Sequence, residues 1–156
     1  MKKTLVTFEA ARPELLEEYR DVFLDSPLFQ HYFSEDDRLR TFLRAALQNN
    51  ELVAALCDGQ VVGVMELRLK GFFGAFPYLA LLGVKQGWRG KGIGRQMLAF
   101  FEEAARQTGC TKASLMVSHF NPRARRLYQN MGYKRIGFLP NAFKNGIDEN
   151  ILVKEL

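Results

Sequence analysis

A chain of 156 residues, 47% of them hydrophobic and 25% charged, holds enough apolar material for one sizeable core in a soluble domain. No apolar run approaches the roughly 20 residues that cross a bilayer, so neither a membrane-spanning helix nor a membrane partner is expected. The net charge of +5 is unevenly placed: residues 1–67 carry 7 Lys/Arg against 12 Asp/Glu, and residues 68–156 carry 15 against 5. A positive second half favours an anionic partner there, although composition alone equally fits a solvated basic face.

In chain order, the start MKKTLVTFEA is basic, but Thr7 and Glu9 interrupt its apolar run. It reads as a strand over residues 4–8 and not as a secretion signal. Pro13 opens a helix with Leu15, Leu16, Tyr19, Val22 and Phe23 on one face. Residues 25–33, DSPLFQHYF, read as an aromatic loop. Ser34 is then expected to cap a second helix, with Asp37 in the capping-box position and Leu39, Phe42, Leu43, Ala46 and Leu47 as its apolar stripe. Runs at 51–57 and 61–69 flank Asp58-Gly59-Gln60 and predict an antiparallel hairpin. A turn at 71–74 precedes an uninterrupted apolar strand over 78–84, expected to be buried on both faces.

A glycine-rich segment follows, then a helix to about Thr108 with Ile93, Met97, Phe101, Ala104 and Ala105 pointing inward. Residues 112–118 predict a strand. Asn121-Pro122 starts a further helix as N-cap and first-turn proline, and Gly132 ends it. Strands over 133–138 and 150–156 close the chain. Cys57 and Cys110 sit in strand-like runs far apart and read as small apolar side chains without a disulfide, which makes a cytoplasmic setting the default. Two His and two Cys are scattered without ligand spacing, so no metal site is expected.

The order is β-α-α-β-β-β-α-β-α-β-β, with no repeat or linker, and implies a single domain over residues 1–156. Strand–helix–strand from 78 to 118 requires a right-handed crossover and a parallel pair, whereas the hairpins are antiparallel. The fold class is therefore α/β, a central mixed, mostly antiparallel sheet of about seven strands with four helices on its faces.

The segment WRGKGIGRQML, Trp88–Leu98, places Gly90, Gly92 and Gly94 among Arg89, Lys91 and Arg95, between a buried strand and a helix. First-turn amides of a helix have no intrahelical partner, the dipole puts positive charge at that end, and glycines let an anion come close. Phosphate is the natural guest. A dinucleotide fingerprint fails, because its third glycine would fall on Arg95 or Met97. A P-loop fails too, since Gly92 and not a hydroxyl follows Gly90-Lys91. What remains is Arg-x-x-Gly-x-Gly over Arg89, Gly92 and Gly94; the plain alternative is a tight turn that holds no ligand.

VKQGWRGKGIGRQML resembles the acetyl-CoA loop of the GCN5-related N-acetyltransferases (GNAT), where Arg/Gln-x-x-Gly-x-Gly/Ala wraps the CoA pyrophosphate. LMVSHFNPRARRLYQNMGY resembles the same family's strand followed by Asn-x-x-Ala-x-x-Leu-Tyr-x-x-x-Gly-Phe/Tyr. A proline often follows the fourth strand in that family; Gln86 stands there in this chain. The resemblance implies a GNAT-like fold whose parallel strands 4 and 5 splay apart. It also implies acetyl-CoA as donor and an amine acceptor, either a small molecule or a protein amino group. Backbone groups of Leu82, Gly83 and Val84 would hold the pantetheine arm, and amides of Arg89, Gly90, Lys91, Gly92, Ile93, Gly94 and Arg95 the pyrophosphate. Asn121 would bond the arm, and Tyr128 would be the general acid.

The chemistry is direct: an amine attacks the thioester, so no cysteine nucleophile is required. A backbone N–H near Leu82 would support the oxyanion, as the family implies. Tyr128 suits the acid role because a phenol is protonated at neutral pH, although Ala124, Leu127, Tyr128 and Met131 also form a helical packing stripe. The strand over 78–84 holds no acid, so Glu66 is the candidate base, in phase with Val62 and Val64; Arg68 shares that phase and an ion pair would explain both. His119 follows the fifth strand and reads as a surface residue. Phe29, Tyr32, Phe33, Phe72, Phe73 and Phe143 could wall an amine pocket or serve as core and rim, while Asp148 and Glu149 could attract a cation or be solvated. Two rivals stand: a non-catalytic acyl-CoA-binding regulatory module, and a nucleic-acid-binding domain. The second lacks the aromatic-plus-basic strand motifs of single-strand readers, so no nucleic acid is expected. A homodimer is compatible with the chain.

Overall fold

The computed structural model describes residues 4–35 and 37–156. Its elements are β1 (Thr7–Ala10), α1 (Leu16–Asp21), α2 (Arg38–Gln48), β2 (Leu52–Cys57), β3 (Gln60–Phe72), β4 (Phe76–Val84), α3 (Ile93–Gln107), β5 (Lys112–Ser118), α4 (Pro122–Asn130), β6 (Lys134–Lys144) and β7 (Ile147–Glu155). A 3-10 turn at Pro13–Leu15 leads into α1, and a π-helical turn occupies Phe29–Phe33. The strands form one mixed sheet in the order β1-β2-β3-β4-β5-β7-β6. The parallel pair is β4 with β5, in register at Tyr78↔Ser114 and Leu79↔Leu115. The pairs β1–β2, β2–β3, β5–β7 and β6–β7 are antiparallel. The expected element order and parallel crossover are both present.

The chain gathers into two compact units: Met1–Leu67 with Leu81–Met97, and Arg68–Ala80 with Leu98–Leu156. In the first, Tyr19, Val22 and Phe23 of the α1 region and Leu39, Leu43 and Ala46 of α2 form a core with Leu52, Ala54, Val61, Val64 and Leu81. That is the apolar stripe expected of both helices, and removing it from water is what holds them, since α1 is too short to persist alone. Tyr19 is buried to its hydroxyl, which accepts from the Arg12 amide at 2.8 Å. Asp58 (φ 51°) and Gly59 (φ 79°) are both left-handed, as a two-residue hairpin turn requires. β3 is buried at every position from 61 to 67, the signature of a strand covered on both faces; β4, expected to be so, is buried at Leu79 and Leu81 but only half-buried at Tyr78, Ala80 and Leu82.

Two local expectations change in this unit. The aromatic segment is not a loop throughout, because Phe29–Phe33 turns helically with Phe29 and Phe33 packed on the core. Ser34 does not cap α2: its hydroxyl donates back to the Gln30 carbonyl at 3.3 Å, and Asp37 (φ 51°) is the N-cap residue. Asp37 makes no side-chain cap bond; its carboxylate takes Arg40 at 2.6 Å, and Arg40 also grips Glu17. The guanidinium outcompetes the backbone amides for that carboxylate, as charge-assisted pairing favours.

In the second unit Leu115 faces Leu152 across β5–β7, and Phe101 and Ala105 of α3 are fully buried. Glu102, buried on α3, receives Lys154 at 2.8 Å and the Tyr133 hydroxyl at 3.1 Å. β6 and β7 extend well beyond the expected 133–138 and 150–156. Pro140, which reads as a strand breaker, is tolerated because β6 is the edge strand and its register shifts between Leu139 and Lys144. Cys110 lies in the turn before β5 and not in a strand run, with Sγ 3.6 Å from the Ala75 carbonyl.

Candidate active site

The glycine segment belongs to the first unit. Leu81–Val84, the last stretch of β4, is fixed in two ways. The Lys85 amide donates to the Val62 carbonyl at 2.8 Å, and the Phe23 ring lies flat against Gly83, where a Cβ would come within 2.2 Å of it. Only glycine leaves room for that ring. Beyond β4 the Trp88 amide closes a turn on the Lys85 carbonyl at 3.0 Å, and Gly87, Gly90 and Gly92 hold φ of 88°, 75° and 82°. Left-handed conformations at 90 and 92 turn the chain sharply into α3, a bend that L side chains resist.

Gly94 has a different place from Gly90 and Gly92, since it already lies inside α3. The bond from the Gln96 amide to the Gly92 carbonyl, at 3.3 Å, opens the helical ladder. The amides of Gly92, Ile93 and Gly94 precede that first bond, and the positive end of a 15-residue helix dipole lies on them. The Gln96 side chain locks this end, donating to the Thr4 carbonyl at 2.5 Å and accepting from the Val6 amide at 3.1 Å. Lys91 is exposed, its Nζ 5.9 Å from the Trp88 ring centroid. A diphosphate fits this set: bent backbone, first-turn amides, a helix N-terminus and an exposed cation.

The Arg89 side chain is tied down beside the loop. Its Nε donates to the Val84 carbonyl at 2.8 Å, and its two terminal nitrogens meet the Asp25 carboxylate at 3.2 and 3.0 Å. Sequence reasoning missed Asp25, which stands 64 positions upstream in a segment with no motif. Glu66 is in this unit too, 2% exposed on β3 opposite Leu52. Burial on an apolar strand is what a candidate base needs, and the phase with Val62 and Val64 predicts it.

The second unit holds Tyr128 and Asn121. Tyr128 is buried on α4, its ring edge-on to Tyr133 with centroids 6.2 Å apart. Burial first, and then the Tyr78 phenol, push its pKa above the ordinary value of 10. The Asn121 side chain accepts from the Ala124 amide at 3.3 Å, so its N-cap role is present. Sequence reasoning also passed over Ser118, whose hydroxyl donates to the buried Glu149 carboxylate. Glu149 is thus no solvated turn residue. His119 is exposed and bound to Asp148 through both backbone and Nδ1, at 3.0 Å each. Phe72, the last residue of β3, meets Phe73 of the following turn edge to face, with centroids 4.6 Å apart, and Phe143 is exposed on β6.

Tyr19, Tyr128 and Tyr133 all have phenols raised above 10, with burial the largest cause in each. Below pH 10 they are protonated in the folded and the unfolded chain alike. As the pH rises past 10 the unfolded chain releases protons that the folded chain keeps, so stability falls, by up to about 1.4 kcal/mol per pH unit for each of Tyr128 and Tyr133. Urea unfolding between pH 9 and 11.5 is expected to show this decline, and Tyr128→Phe to make it shallower. A Tyr128→Phe slope equal to that of the unaltered protein would show its phenol to be solvated.

Together these features define a class: a mixed α/β fold in which a sheet strand leads through a glycine-bent loop into a helix N-terminus. Residues 8–133 match the model of the acetyltransferase (GNAT) family, and the chain belongs to that family. It is 42% identical over 62 residues to acetyltransferase Atu2258 of Agrobacterium fabrum, covering 40% of this chain and 44% of that protein. It is 27% identical over 128 residues to the N-acetyltransferase YhfO of Bacillus subtilis, 70% of this chain and 80% of that protein. The match thus spans less than half the length of the Agrobacterium relative. Among solved structures, a putative GNAT acetyltransferase from Desulfovibrio desulfuricans superposes with a TM-score of 0.80 at 21% identity, covering 97% of this chain and 99% of that one. The PaiA N-acetyltransferase of Thermoplasma acidophilum, solved with coenzyme A, superposes with a TM-score of 0.72 at 19% identity, again over 97% and 99%. No helix among the described residues is long and apolar enough to cross a membrane.

Proposed function

We propose that this protein transfers an acetyl group from acetyl-CoA directly to an amine of a small molecule or of a protein. The observation that carries this reading is the loop from Val84 to Ile93: left-handed glycines leading into a helix N-terminus on a chain of the GNAT family. Amides from Arg89 to Arg95 hold the diphosphate, with Lys91 adding charge. Leu82, Gly83 and Val84 take the pantetheine arm along the end of β4. Because the Val84 carbonyl already accepts from Arg89, its share of the arm is assigned to its N–H. The amide near Leu82 supports the oxyanion, a donor worth a few kcal/mol in such sites.

Tyr128 protonates the departing thiolate. The desolvation that keeps its phenol neutral also penalises a thiolate beside it, so the proton passes when the C–S bond breaks. Asn121 bonds the arm while capping α4. Glu66 takes the amine's proton, with burial on β3 supporting the assignment. The test is release of CoA thiol from acetyl-CoA with a panel of small amines and peptides carrying free N-termini or lysines. Acetyl-CoA-dependent thiol release with at least one amine is the expected result. Tight CoA binding with no release from any acceptor would instead indicate the non-catalytic regulatory module.

A further inference from the structure

The Arg89 side chain is tied back into the first unit at several points. Three of its N–H groups are committed, one to the Val84 carbonyl and two to the Asp25 carboxylate, at 2.8, 3.2 and 3.0 Å. Both side chains are largely withdrawn from solvent, 28% and 33% exposed. The bidentate fork neutralises the guanidinium with a carboxylate that would itself repel a phosphate.

Asp25 is held as well. Two residues before it, Phe23 packs its ring on Gly83; just after it, Ser26 turns back with its amide and hydroxyl on the Phe23 carbonyl at 2.9 and 2.6 Å, and its Oγ takes the Phe29 amide at 3.2 Å. The segment 23–26 therefore touches the end of β4 at two places, the Phe23 ring on Gly83 and the carboxylate–guanidinium–carbonyl chain on Val84. The chain Asp25–Arg89–Val84 closes the loop of residues 84–89 across its own width. That fixes where Gly90 begins the bend toward α3.

We infer that Arg89 is a positioning residue: anchored by Asp25, it sets the shape of the diphosphate loop and does not act as the loop's cationic ligand. The inference rests on the reading that this loop binds acetyl-CoA. It makes Asp25, outside the glycine motif, a determinant of donor affinity, and it leaves the attraction of the diphosphate to the backbone amides and Lys91.

The two roles predict opposite signs for one substitution. If Arg89 were a phosphate ligand, Asp25→Asn would release its charge and tighten CoA binding. If it positions the loop, Asp25→Asn weakens binding by about tenfold, Arg89→Ala does the same, and the double variant is no worse than either. Calorimetry with CoA on the four proteins reads this directly, with thermal unfolding run alongside to confirm that each is folded. In steady-state assays the loss appears in KM for acetyl-CoA rather than in kcat, and Asp25→Glu, which keeps the carboxylate, recovers part of it. Tighter or unchanged CoA binding by Asp25→Asn, or fully additive losses in the double variant, overturns the positioning role while leaving the acetyltransferase reading intact. Absence of CoA binding by the unaltered protein removes that reading, and this inference with it.

Discussion

Tyr128→Phe is expected to lower kcat by about 10²–10⁴-fold, the span of a lost general acid, while the affinity for acetyl-CoA changes little. The expectation follows from where the phenol is. It is buried on α4 against Tyr133, so removing one oxygen leaves the ring packing and the fold in place. What goes is the proposed proton source. The split between turnover and affinity is the informative part, because a residue that merely filled space would show neither. Stopped assays of thiol release together with titration of CoA on the same preparation measure both quantities. Unchanged turnover would return Tyr128 to the helical packing stripe it shares with Ala124, Leu127 and Met131.

The second large effect concerns stability. Gly83→Ala places a Cβ 2.2 Å from one Phe23 ring carbon and 2.7 Å from the next. Phe23 is fully buried, so the ring has no open side to swing toward. Either β4 or the α1 region must shift. A cost of about 3 kcal/mol is expected, roughly 6–12 °C in Tm for a chain of this size. Since Gly83 lies in the stretch proposed to carry the pantetheine arm, KM for acetyl-CoA rises as well. Phe23→Leu, which trims the ring, is expected to restore part of the Tm lost by Gly83→Ala. A Gly83→Ala protein with the Tm of the unaltered one would show that the ring does not occupy this place.

Much of this architecture was legible because the signals are local. An apolar strand, three alternating glycines and a helical stripe are read within twenty residues, and the Asn121-Pro122 helix start needs only its own dipeptide. Asp58-Gly59 forecasts its turn because few residue pairs accept two left-handed conformations. The failures are of one kind, in which a partner distant in sequence or in the sheet decides the outcome. Ser34 has the chemistry of a cap but finds the Gln30 carbonyl, and Asp37 is drawn to Arg40. The strand expected over 133–138 runs on to Lys144 because β6 is at the edge, where Pro140 is tolerated, a position that depends on strand order and not on local composition. Arg89 has the spacing of a phosphate ligand, yet its guanidinium meets a carboxylate 64 residues away. The site was readable as a backbone conformation and less so as a set of side-chain contacts.

The most direct measurement is calorimetric titration of acetyl-CoA, beside S-acetylpantetheine, which lacks the diphosphate, into the unaltered protein and Gly92→Ala. Gly92 holds a φ of 82°, where an added Cβ is strained and the bend into α3 must relax. The account predicts clear saturable heat with acetyl-CoA, about tenfold weaker binding in Gly92→Ala, and little difference between the two proteins with S-acetylpantetheine. No heat with acetyl-CoA, or equal affinity in both proteins, would contradict it.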